Sequence, residues 1–114
     1  RVPTPNVSLA VMSLTVDRND LSKDGVNEFL RKTAFNSKYR EIVGFVNSTE
    51  IVSSDFYSSP FASVIDSQAT IVSDNKITLY CWYDNEYGYS VQVVNLVKNI
   101  AGINLIRLPV KVWY

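Results

Sequence analysis

At 114 residues, 46% hydrophobic and 19% charged, the chain can build one core, and its composition is globular rather than disordered. Eleven acidic and eleven basic residues cancel, so no global field draws nucleic acid or an anionic membrane, and neither is expected as a partner. The single cysteine rules out an internal disulfide and suits a reducing compartment, so a cytoplasmic location is expected. No apolar run reaches membrane-spanning length, and the first residues lack a signal-peptide pattern. The glycosylation sequons at Asn6 and Asn47 therefore read as chance. The opening residue is Arg1 rather than Met, as expected of a piece of a longer protein.

The paired Pro3 and Pro5 favour an extended entry to the first element. Val7, Leu9 and Val11, then Leu14 and Val16, alternate with a change of phase, which predicts a strand over residues 7 to 17 with a bulge near Met12 and Ser13. Ser22 is a helix N-cap candidate, and Val26, Phe29, Leu30 and Ala34 predict a helix over residues 23 to 36 with one buried stripe. Residues 42 to 46 read as a short strand and Ile51-Val52 as another. The serine- and aspartate-rich stretch 53 to 60 reads as loop. Two β-rich runs, 62 to 72 and 76 to 83, meet at Ser73-Asp74-Asn75, a hairpin signal. Val93, Val94, Val97, Ile100 and Ala101 then share one helical face, and Gly102 is a natural C-cap. Strands joined by tight turns between two helices predict an α+β fold, with an antiparallel or mixed sheet and helices on one face.

Residues 82 to 90, Trp-Tyr-Asp-Asn-Glu-Tyr-Gly-Tyr-Ser, gather three phenols, two carboxylates and an amide between a strand and a helix, where α/β enzymes hold ligands. This segment resembles the motif near the end of the catalytic domain in phosphorylating glyceraldehyde-3-phosphate dehydrogenases. Two further blocks resemble the same family, in the same order: Arg1-Val-Pro-Thr-Pro-Asn-Val-Ser and Ile51-Val-Ser-Ser-Asp-Phe. The resemblance covers residues 1 to about 101. It implies the C-terminal part of the catalytic domain with its closing helix over 1 to 101; residues 102 to 114 read as an extended apolar tail, and from about Asn104 onward the chain has no counterpart in the family. It also implies an NAD- or NADP-dependent oxidoreductase whose Rossmann domain lies outside this sequence; the G-x-G-x-x-G fingerprint is absent.

In that family a cysteine thiolate attacks the aldehyde, a histidine takes the proton, hydride passes to the nicotinamide, and phosphate releases the thioester. The chain has no histidine, and Cys81 lies at the end of an apolar strand without the family's Cys-Thr-Thr context. Cys81 therefore reads as a packed structural residue, no catalytic residue is assigned, and the isolated chain is expected to be inactive with no cofactor of its own. The resemblance implies that Arg1 binds the substrate phosphate, as a planar guanidinium can. It places Asn85 on the nicotinamide carboxamide, where an amide both donates and accepts, and Tyr83 and Tyr89 along the same site. The plainer role for Asn85 is a turn residue bonding its own backbone. Asp84 and Glu86 read as helix-start and loop-anchoring charges, and Asp55 and Asp66 as turn-fixing ones.

Without a Rossmann domain the stripe Val93, Val94, Val97 and Ile100 would face water, so a homo-oligomer through this last helix is expected. A non-catalytic oligomerising scaffold that reuses the half-domain is the alternative reading.

Overall fold

Lys76–Tyr83 is the strand on which the molecule is organised. Its alternating Ile77, Leu79 and Cys81 are buried, while Thr78, Tyr80 and Trp82 point to the opposite side. The computed structural model describes residues 4–103. Along them run β1 (Ser8–Thr15), α1 (Lys23–Asn36), β2 (Val43–Val46), a 3-10 turn (Ser53–Phe56), β3 (Ser63–Asp66), β4 (Ile71–Ser73), β5 (Lys76–Tyr83) and α2 (Tyr87–Ile100). Arg1 and the tail beyond Ile103 lie outside the described residues.

The five strands form one mixed sheet in the order β1-β5-β3-β2, with β4 also on β5. β5 is antiparallel to β1 on one edge; on the other it pairs with β4 near its start and with β3 near its end, both antiparallel. β2 lies parallel to β3. This is the α+β arrangement expected from the order of elements.

Ser22 caps α1: its Oγ accepts from the Gly25 N–H at 3.1 Å. From α1 and its approach, Val26, Leu30 and Leu21 pack on the cluster of Ile65, Ile77, Leu79 and Cys81. Two polar ties hold the helix to the end of β3, Asn27 Nδ2 donating to the Ser67 carbonyl at 3.0 Å and Lys23 Nζ to the Gln68 carbonyl at 2.7 Å.

Four details differ from the sequence reading. β1 pairs with β5 through eight consecutive partners, Ser8↔Tyr83 to Thr15↔Lys76, with no bulge at Met12 or Ser13. None is needed, because both faces of β1 are apolar: Ala10 and Val16 pack toward the core, whereas Leu9 and Val11 lie exposed on the other side. Phe29 is 68% exposed and lies off the buried stripe of α1, its place taken by Asn27, which shares an i, i+3 face with Leu30. Ile51 and Val52 form no strand; the Val52 N–H is bound by Asp55 Oδ2 at 2.8 Å, which starts the 3-10 turn. The run 62 to 72 is split into β3 and β4 because Asp66 Oδ1 accepts from the Gln68 and Ala69 N–H groups and curls the backbone. The hairpin at Asp74-Asn75 closes where expected, with Asp74 in the left-handed region at φ 52°.

Leu79→Ala should lower stability by about 2–5 kcal/mol through the cavity it leaves, whereas Phe29→Ala should stay within about 0.5 kcal/mol. Urea unfolding of the two variants measures both.

Candidate functional site

β5 carries the chain out of the sheet at Tyr83, and α2 begins at Tyr87, leaving Asp84-Asn85-Glu86 to make the turn. The turn is held from within. Asp84 is only 7% exposed, and its carboxylate gathers three backbone N–H groups. Oδ1 accepts from Glu86 and Tyr87, each at 3.0 Å, and Oδ2 accepts from Ser58 at 2.8 Å. The first two are donors that a helix start leaves unpaired. The third reaches across to the loop after the 3-10 turn, where Ser58 itself stands at φ 59°. The Tyr87 and Ser58 bonds hold the Asp84 carboxyl below the usual carboxylate range.

α2 is fixed to the sheet end by its first half. A Cβ on Gly88 would stand 2.5 Å from the Phe61 carbonyl oxygen, so only glycine permits this approach. One turn later Gln92 Nε2 donates to the Pro60 carbonyl at 3.0 Å and to the Glu41 carbonyl at 3.4 Å. The C-terminus closes as the sequence suggests. Gly102 stands at φ 69°, its N–H donates to the Asn99 carbonyl, and the Ile103 N–H reaches the Lys98 carbonyl.

Between these parts lies a half-open cavity of about 510 Å³, lined by Ile42, Ala62, Tyr83, Asp84, Asn85, Tyr89 and Gln92. Its residues come from the starts of β2 and β3, the end of β5 and the first turns of α2. Because β1 runs antiparallel to β5 with Ser8 opposite Tyr83, the chain also enters the sheet at this end. Asn85 and Tyr89 thus share one concavity, and Tyr89 is 72% exposed at its rim. Among the described residues the Asn85 side chain has no hydrogen-bond partner, so it is not spent on its own turn.

Cys81 lies elsewhere. It is 2% exposed in the core, and burial pushes its thiol up, the opposite of what a thiolate nucleophile needs. Asp55 and Asp66 bind backbone N–H groups, and Asp66 Oδ2 also accepts from Trp82 Nε1 at 3.4 Å. Trp82 in turn stacks on Phe56 at 5.4 Å between centroids. Among the described residues no group of three or more His, Cys, Asp or Glu side chains could hold a metal ion.

Over residues 1–85 the chain matches the family described as glyceraldehyde 3-phosphate dehydrogenase, C-terminal domain. It belongs to the glyceraldehyde-3-phosphate dehydrogenase family. A glyceraldehyde-3-phosphate dehydrogenase-like protein of Pseudomonas aeruginosa (strain UCBPP-PA14) is 47% identical over 109 residues, 96% of this chain and 23% of that protein. Glyceraldehyde-3-phosphate dehydrogenase 2 of Bacillus subtilis (strain 168) is 40% identical over 105 residues, 89% of this chain and 29% of that protein. The chloroplastic glyceraldehyde-3-phosphate dehydrogenase GAPB of Arabidopsis thaliana is 41% identical over 102 residues, 89% of this chain and 22% of that protein. The chain thus spans less than a third of the length of these dehydrogenases.

Sequence reading singled out Tyr83, Asn85 and Tyr89 but not Gln92, Ile42 or Ala62. Gln92 carried a usable signal, since it lies three residues after Tyr89 on one helical face. Ile42 and Ala62 carried none, because each joins the cavity only through strand pairing.

The folded Asp84 carboxyl is depressed, so its contribution to stability is present above the unfolded value of about 4. That contribution is lost as pH falls through the lower folded value. Asp84→Asn should therefore flatten the acid limb of the stability profile, read by circular dichroism from neutral pH downward. Gly88→Ala should cost about 1–3 kcal/mol by overpacking against backbone, measured as a lowered urea midpoint.

Proposed function

We propose that this chain forms the nicotinamide-facing wall of a phosphorylating, NAD- or NADP-dependent glyceraldehyde-3-phosphate dehydrogenase of central carbon metabolism. The observation that carries the reading is the Asn85 amide. It stands on the cavity rim with Tyr89, unpaired among the described residues, on a turn that Asp84 holds still. A side-chain amide offers one acceptor and two donors, the complement of a carboxamide. That donor set, with the phenol walls of Tyr83 and Tyr89, fits a nicotinamide better than an anion or a metal ion. When bound, the dinucleotide supplies the hydride acceptor. The chain's own residues orient the ring and restrict water on one side of it. In this reading Arg1 contributes to substrate phosphate binding.

The nucleophile and the base come from outside this sequence. It contains no histidine, and its one thiol is buried. The 114 residues alone are accordingly inactive. Unaided reduction of NAD by the purified chain with triose phosphate would refute this.

α2 supports the partner assignment. Val93, Val94, Val97 and Ile100 are all exposed, Ile100 at 79%. Leaving each such side chain in water forgoes roughly 1.5–3 kcal/mol. In the whole enzyme the Rossmann domain covers this stripe; in the chain by itself a second copy does. The same stripe favours the second reading, a non-catalytic oligomerising scaffold, in which Asn85 has no ligand.

Two measurements separate the readings. In the whole protein, Asn85→Ala should raise the dinucleotide KM about tenfold, the loss of one or two hydrogen bonds; an unchanged KM leaves the scaffold. Light scattering of the 114-residue chain should give a mass above one copy, and Val97→Glu should return it to one.

A further inference from the structure

We infer that Asp84 is a positioning residue, setting where the Asn85 amide stands on the cavity rim by gathering the N–H groups of Ser58, Glu86 and Tyr87 on one carboxylate. The inference rests on the nicotinamide-facing role proposed for Asn85.

Asn85 reaches the cavity from a turn, and turn residues swing unless something fixes them on both sides. On the N-terminal side the chain is still anchored by β5, whose last residue, Tyr83, pairs with Ser8. On the C-terminal side the next two N–H groups, those of Glu86 and Tyr87, end on Asp84 Oδ1, each at 3.0 Å. The Gly88 N–H closes on the Asp84 carbonyl at 3.0 Å. Asn85 is therefore the one residue enclosed between the carboxylate and the groups it holds. Its side chain is left free to face outward.

The other oxygen does a different job. Oδ2 takes the Ser58 N–H at 2.8 Å, a contact made across 26 residues of sequence. It ties the turn to the segment 58–62, which also supplies Ala62 to the cavity and the Phe61 carbonyl against which Gly88 rests. The turn that carries Asn85 and the segment that carries Ala62 are thereby tied together by one hydrogen bond. Among the described residues no lysine or arginine bonds to this carboxylate, and its three partners are backbone N–H groups. A charge placed in this way is spent on geometry. A hydrogen bond from the Asn85 amide weakens steeply once it departs from linearity or lengthens, so small rotations of the turn are enough to lose it.

Asp84→Asn preserves shape but replaces one acceptor oxygen with an NH₂ group, so at least one backbone N–H meets a donor. The test is a cycle in the whole protein, with dinucleotide Kd measured by fluorescence titration. Asn85→Ala is the reference variant. With Asn85 in place, Asp84→Asn should weaken binding about fivefold; in the Asn85→Ala background it should weaken it less than about twofold. Equal weakening in both backgrounds would show general softening and overturn the inference, as would no weakening in either. If Asn85→Ala weakens binding and Asp84→Asn does not couple to it, only this inference fails. If Asn85→Ala leaves Kd unchanged, the functional reading fails with it. Should Asp84→Asn not fold, Asp84→Ser, which keeps one acceptor, goes through the same cycle; failure of both to fold makes Asp84 a folding residue and overturns the inference.

Discussion

β5 is hydrogen-bonded on both edges, to β1 along its whole length and to β4 and β3 in succession on the other side. Because a ladder fixes register residue by residue, the point at which β5 leaves the sheet is set by its flanking strand positions, eight on β1, three on β4 and two on β3, rather than by the turn itself. The core hangs on the same strand. Ile77, Leu79 and Cys81 face α1 because their period is two, and that period also decides that Tyr83 points to the cavity side. A slip of one residue would bury Tyr80 and Trp82 and turn Tyr83 away from the pocket. Packing and function are therefore not separable along this strand.

At the end of β5 the control passes from the ladder to a single carboxylate. Asp84 satisfies donors from three places, and this explains how a segment with three phenols and two acids makes a sharp turn without glycine at its tip. Gly88 then sets the direction of α2 by admitting the Phe61 carbonyl, and Gln92 confirms it one turn on. Beyond Gln92 the apolar side of the helix is exposed, with Val93, Val94, Val97 and Ile100 open to solvent.

The apolar side of β1 that faces away from α1 has a similar character. Leu9, Val11 and, on β4, Ile71 are exposed together. The change of phase along β1 predicts a bulge only where a single face of the strand is apolar. The structure keeps an uninterrupted ladder and leaves both faces apolar. Phe29 shows the reverse case. An aromatic residue at near-helical spacing looked like core, yet it faces water, because a polar Asn27 holding the Ser67 carbonyl occupies the sheet-facing position instead.

Local chemistry was legible in the linear chain: the capped start of α1 at Ser22, the Gly102 stop of α2, the Asp74-Asn75 hairpin, and the motif at 82 to 90 that carries the family likeness. Each depends on neighbours within about four residues, the range over which helix and turn rules act. What the sequence could not supply were contacts between distant segments, namely Ser58 on Asp84, Phe61 on Gly88, and Ile42 and Ala62 beside Asn85. Those pairings exist only once the strands have chosen their order. Residue types therefore determined which groups could meet a ligand, and the folded sheet alone decided that they stand around one cavity.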